Sequence, residues 1–213
     1  MSRSFVAQVW AGKSIGRILF NRAVAKHCAS LSGRVIDLAG GVHPSYHGYL
    51  PTGVALVTTE YKKVEGVDLV VDIEKPLPFS DASESAIICF NAIYILESPD
   101  AFLKEIHRVL KVGGTLFLSS PFMTNEMPEP NDYLRFTKQG LERTLHRAGF
   151  SDLVVIPYGE RGSAAMYLLD PIFHFAIVRI PFFLLGLSID RLIPKRILAS
   201  HPAPIGYFVV AKK

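Results

Sequence analysis

Asp37 ends a β-branched apolar run, and the chain breaks three residues later into Gly40-Gly41, with His43 and His47 close behind. A hydrophobic strand that runs into a glycine turn opens a ligand crevice, because glycine lets backbone approach a cofactor closely. An imidazole with a near-neutral pKa beside such a turn is a candidate proton acceptor, so His43 is a candidate base. A second group, Asp132, Tyr133 and Arg135, follows a Met-, Pro- and Glu-rich loop and offers acid, phenol and guanidinium at the same end of the sheet.

Short apolar runs must position these groups. Val35–Leu38, Val54–Glu60, Val67–Ile73, Ser85–Phe90 and Thr115–Phe122 are each bounded by turn residues. Such near-continuous apolar strands suit a parallel sheet covered on both faces. Helical spacing marks a basic leading segment over residues 5–31, with Val9, Ile15, Leu19, Val24 and Leu31 in register. A helix is expected over Pro99–Lys111, stopped by Gly113-Gly114, and another from an N-cap at Thr137 to Gly149. The strands DLVVIP and IGYFVVAK complete an α/β alternation. Ala7–Ser14, AQVWAGKS, loosely matches a phosphate loop, but no buried strand precedes it and Val9 and Trp10 would line the cradle, so that reading is rejected.

A chain of 213 residues, about half apolar, supports one good core and is expected to form one domain. Its net charge of +4 is modest, which argues against a nucleic-acid partner. The charge is uneven: the first thirty-four residues carry basic side chains, Arg17 among them, and no acid. Basic ends suit an anionic partner, either a membrane surface or a phosphorylated substrate. Cys28 and Cys89 make neither a disulfide framework nor a metal spacing, so no metal and a reduced, cytoplasmic setting are expected.

The order of VIDLAGG, DIEKPLPFSDAS, ILESPDAFLKEIHRVLKVGGTLFLSSPF and DYLRFTKQGLERTLHRAGF resembles the class I S-adenosylmethionine-dependent methyltransferases, of the methyltransferase type 11 kind, over about Arg34–Tyr158. The resemblance implies a Rossmann-like, doubly wound sheet of seven mostly parallel strands with helices on both faces, and a last antiparallel strand. It implies S-adenosylmethionine as cofactor, with Asp37, Ala39, Gly40 and Gly41 beneath its methionine part. Ala39 departs from the pattern, since the first glycine of the motif usually stands there. By the same resemblance Glu60 takes the ribose hydroxyls, which suits two acceptor oxygens spaced for a vicinal diol. Asp72 and the Ile73 amide fall on the adenine side, Pro76–Phe79 closes that pocket, and Asn91 faces the reacting centre. The acceptor remains open. Methyl transfer needs a base only where the acceptor must lose a proton, and His43, Asp132 and Tyr133 are the catalytic candidates.

The stretch between the last two strands is a hydrophobic helical insertion, residues 160–203, with residues 204–213 as the closing strand. Asp170, His174 and Arg179 interrupt its apolar run, Pro171 and Pro181 are expected to break its helices, and no stretch reaches the length of a spanning helix. In-plane membrane contact through residues 164–200, a greasy lid, a core helix and a homodimer face are the open readings. A membrane face would place the protein at the inner side of a membrane and make a lipid-linked acceptor reasonable. A non-catalytic scaffold or membrane adaptor, a nicotinamide oxidoreductase and, more remotely, an NTPase are the alternatives to methyl transfer.

Overall fold

The computed structural model describes residues 4–213. Its seven strands are β1 (Gly33–Asp37), β2 (Val54–Glu60), β3 (Leu69–Val70), β4 (Glu84–Phe90), β5 (Leu110–Pro121), β6 (Asp152–Tyr158) and β7 (Gly206–Lys212). They lie in the order β3-β2-β1-β4-β5-β7-β6. The first five pair in parallel, and β7 runs antiparallel to both β5 and β6. The order of connection reverses between β1 and β4. That switch opens a crevice at the carboxyl ends of those two strands.

Alternation along β4 shows why the sheet is covered on both faces. Ile87 and Cys89 point into one cluster with Phe102, Leu103 and Ile106 of α3 (Pro99–Val109) and Leu141 and Leu145 of α4 (Lys138–Arg147). Ala86, Ile88 and Phe90 point into the other, against Phe20, Val24 and Cys28 at the α2 segment, Ile15–His27 and its C-cap. Both cysteines are buried and free.

Several boundaries differ from expectation. The leading segment is two helices, α1 (Phe5–Trp10) and α2, because Gly12 turns at φ 79° and the Ser14 side chain accepts from Arg17 N to start α2 afresh. The AQVWAGKS stretch is thus a helix end and a cap. Strand β3 keeps only two residues, both exposed at the sheet edge, where little apolar surface rewards a longer ladder. Helix α3 ends at Val109 rather than Lys111: Leu110 pairs with Glu84, and the Gly113 amide donates to Lys213 O, so the glycine pair shapes the entry of β5. A single 3-10 turn spans His47–Tyr49.

The insertion folds as α5 (Arg161–Leu169), α6 (Ala176–Leu192) and α7 (Lys195–Ser200). Pro181 lies inside α6 and does not break it. The insertion builds a third core, in which Met166 and Phe183 meet Val9, Ile15 and Ile18 of the two leading helices. Arg179, buried, pairs with Asp170 at 2.7 Å and donates to Lys13 O, so the charges that interrupt the apolar run tie the insertion together. A methyl at Gly162 would overlap the backbone of Gly186, which marks a close crossing of α5 and α6. Asp190 of α6 caps α5 by accepting from Gly162 N at 2.7 Å. Among the described residues, no helix is long and apolar enough to cross a membrane.

Candidate functional site

The loop after β1 is held from below. Asp37 is fully buried, and the Tyr46 hydroxyl donates to its carboxylate, 2.9 and 2.7 Å from the two oxygens. Burial pushes the Asp37 carboxyl up to about 7, and the Tyr46 hydrogen bond only partly offsets that. Burial and the adjacent acid together raise the Tyr46 phenol, so it stays a donor. Gly40 sits directly over this pair, and a side chain there would collide with the Asp37 carboxylate. The buried Thr59 hydroxyl accepts from Ala39 N and donates to Asp37 O, both at 3.1 Å, and Gly41 N donates to Thr59 O. Ala39 adopts φ 59° and Gly41 φ 69°. The left-handed turn therefore exists in full, with alanine strained into the first glycine's place.

Two cavities flank this loop and share Ala39, Asn91 and Tyr94 as a common wall. The larger, about 890 Å³, is lined by Glu60, Asp72 and Ile73 together with Val71, Ala92 and Leu96. A Cβ placed on Gly41 would come within 3.4 Å of Glu60 Oε2, so loop and acid face each other. Asp72 is steadied by Lys75 at 3.1 Å and accepts from Glu74 N. The Pro76–Phe79 turn behind it is pinned by Arg108, whose guanidinium donates to Leu77 O and Phe79 O and pairs with Glu105 and Asp81. Arg108 thus braces the wall of the crevice.

Asn91 closes β4 in the left-handed region, φ 52°. Its amide donates to Ser119 O and Ser119 Oγ, and Ser119 Oγ in turn donates to Asn91 Oδ1 at 3.1 Å. Asparagine tolerates that conformation better than most residues.

The smaller cavity, about 490 Å³, takes in Gly40, His43, Ser45, Tyr46, Tyr158 and Tyr167. His43 lies on its rim, exposed to solvent. Asp132 and Tyr133 line neither cavity. The Arg135 guanidinium grips both oxygens of Asp132, which also accepts from Met127 N at 2.8 Å. That hydrogen-bonded ion pair holds the Asp132 carboxyl below its ordinary range. Tyr133 N and Leu134 N donate to Tyr94 O, and the Arg135 guanidinium lies over the Tyr94 ring. The segment from Asp132 to Arg135 therefore supports the shared wall. Thr137 caps α4 by accepting from Gly140 N.

Thr59, Ser119 and Tyr46 are the site residues that sequence reading did not single out. Their one signal is a polar side chain within or beside a buried apolar run, which requires a partner without naming it. No group of metal-binding side chains occurs among the described residues.

Residues 49–118 match the model of a methyltransferase domain family. No curated protein matches the sequence significantly. A SAM-dependent methyltransferase from Archaeoglobus fulgidus superposes with a TM-score of 0.61 at 14% identity, covering 92% of this chain and 94% of that one. The phosphoethanolamine N-methyltransferase 2 of Haemonchus contortus, in complex with S-adenosyl-L-methionine, superposes at 0.57 and 14%, covering 98% of this chain and 57% of that one. The [4+2]-cyclase SpnF shares the architecture at 0.59 and 18%, covering 92% and 80%. At these identities the superpositions speak for the fold alone, and the matched segment, which spans β2 to most of β5, is a similarity over about a third of the chain. Over residues 49–118 the chain is similar to methyltransferase domains, and its fold is the one found in the S-adenosylmethionine-dependent methyltransferase of Archaeoglobus fulgidus.

Proposed function

We propose that this protein transfers a methyl group from S-adenosylmethionine to a small-molecule or lipid-linked acceptor. The observation that carries this reading is the larger cavity at the β1/β4 switch point, where Glu60, Asp72 and Ile73 line one space with Ala39 and Val42 of the loop after β1. A cavity of about 890 Å³ is of the size that takes a nucleoside cofactor. The residues fit the group: Glu60 presents a carboxylate for a diol, Ile73, Ala92 and Leu96 offer apolar surface for a base, and Gly41 puts no side chain in front of Glu60. The neighbour that holds S-adenosyl-L-methionine has the same architecture. The cyclase shows that this architecture also serves other chemistry, so the reaction is argued from the site.

When bound, the sulfonium supplies an electrophilic methyl whose positive charge is lost as the bond to the acceptor forms. This chain's residues have three tasks. Glu60 and Asp72 orient the nucleoside end. Asp37, buried and hydrogen-bonded to Tyr46, fixes the loop on which the cationic end would rest. Asn91 and Tyr94, on the shared wall, direct the methyl towards the smaller cavity and help exclude water, so that positioning supplies much of the acceleration. His43 is the rim residue we assign as base where the acceptor is a hydroxyl or amine. Asp132 and Tyr133, committed to bracing Tyr94, act by position.

Calorimetric titration of wild type, Asp37→Ala and Glu60→Ala with S-adenosylmethionine and S-adenosylhomocysteine tests the cofactor site. Binding by wild type, with a loss of about tenfold or more in Glu60→Ala, is expected for a charged hydrogen-bonding partner. A folded wild type that binds neither compound would leave the scaffold reading in its place.

A further inference from the structure

The smaller cavity has a charge pattern that cofactor binding leaves unused. Beyond the shared wall it is lined by Ser14, Gly16 and Arg17 from the start of α2, by Tyr158 at the end of β6 and by Tyr167 on α5. No aspartate or glutamate lines it. Among the described residues the Arg17 guanidinium has no acidic partner, and its noted contact is the Phe20 ring, 5.9 Å away at the centroid. Arg17 is solvent-exposed along this lining, and an unpaired guanidinium there favours an anion, because its donors suit carboxylate and phosphate oxygens in pairs. The positive end of α2 adds to the same field.

The other polar groups are donors too. Burial raises the phenols of Tyr158 and Tyr167, and the charge of Arg17 acts only against that rise, so both hydroxyls keep their protons. Neither donates to a described residue, whereas Tyr46 is engaged with Asp37. Thr124 Oγ1, on the same lining, is buried without a hydrogen-bond partner among the described residues.

We propose that this cavity binds an anionic group of the acceptor, a carboxylate or a phosphate, on the Arg17 guanidinium with the Tyr158 and Tyr167 hydroxyls as further donors. Naming the occupant as the acceptor rests on the methyl-transfer reading; the anion site itself does not. The occupant is assigned to the acceptor rather than to the cofactor's own carboxylate because Tyr158, Tyr167 and Thr124 belong to the smaller cavity alone, away from Glu60 and Asp72.

The test is calorimetry on the full chain, with and without saturating S-adenosylhomocysteine. The probes are phenyl phosphate, benzoate, the neutral benzyl alcohol and benzamide, and dihexanoyl phosphatidate. Wild type should bind the anions and not the neutral compounds. Arg17→Gln should weaken the anions by about tenfold or more while S-adenosylhomocysteine binds unchanged, and Arg17→Lys should restore part of the loss. Tighter binding of the phosphatidate than of phenyl phosphate would point to a lipid-borne phosphate, and the reverse to a soluble one; either supports the site. Equal anion binding by wild type and Arg17→Gln, or no anion binding by wild type, would overturn it. An Arg17→Gln protein of unchanged melting temperature that loses S-adenosylhomocysteine would assign Arg17 to the cofactor and overturn the acceptor assignment. Arg17-dependent anion binding by a wild type that ignores S-adenosylhomocysteine would keep the anion site and remove the methyl-transfer reading.

Discussion

Asp37 is held at the site against its own charge. Its carboxyl rises from 3.8 to about 7 on folding because burial disfavours the charge. The folded state thus holds this proton more tightly than the unfolded chain. The contribution is full below pH 3.8 and is lost as pH rises through about 7. Asp37→Asn keeps an acceptor for Tyr46 and removes the charge, so its denaturant midpoint should fall less than wild type's between about pH 4 and about pH 8. Parallel curves would place the titration elsewhere. The neighbouring strain is steric. Ala39 at φ 59° costs about 1–2 kcal/mol relative to a right-handed conformation, part of which glycine would return as unfolded-chain entropy. Ala39→Gly should therefore stabilise the protein by roughly 0.5–1 kcal/mol in urea unfolding. A destabilised variant would mean that the Ala39 methyl packs to real advantage.

At the scale of elements, the crevice depends on parts far apart in the chain. Strand β2 holds the glycine loop through Thr59, α3 holds the Pro76–Phe79 turn through Arg108, and β5 holds Asn91 through Ser119. Helix α5 brings Tyr167 to the smaller cavity, with its ring against Gly16 of α2. The placement of α5 rests on its crossing with α6. Gly162→Ala should force the two helices apart and cost about 1–3 kcal/mol, seen as a lower melting temperature. Glu60 lies outside that packing, so cofactor affinity should change much less than stability. Comparable losses of both would mean that the insertion supports the larger cavity as well.

On the scale of the whole molecule, α6 has two faces. Gly186, Phe183 and Arg179 turn inward, while Ile177, Val178, Leu184, Leu185, Ile189 and Leu192 form an outward stripe at helical spacing. Ile177 is 71% exposed and Leu192 81%. Arg191, Lys195 and Arg196 stand at the end of that stripe. An apolar face with a basic margin has the chemistry that in-plane attachment to an anionic bilayer would need, and flotation tests whether this one is used so. Wild type should float with phosphatidylglycerol-containing liposomes, and Ile177→Asp with Leu185→Asp should stay in the bottom fraction. Equal flotation would rule this face out as the attachment. Sedimentation of the same pair tests the homodimer reading, since loss of a dimer in the variant would mark the stripe as a subunit interface.

Local sequence determined the strands, the glycine turn, the Thr137 cap and the acids at strand ends, because alternation, propensity and turn chemistry act within a few residues. The resemblance carried by those motifs is what named the family. Tertiary structure alone decided the rest. Tyr46 meets Asp37, Thr59 meets Ala39, and Arg17, Tyr158 and Tyr167 come to line one cavity only when the sheet closes and the insertion docks on α2. Asp132, which by residue type is a candidate catalyst, becomes a brace because Arg135 and Met127 N satisfy both its oxygens. A side chain's chemistry is written in the sequence, but its availability depends on long-range partners that no local pattern specifies.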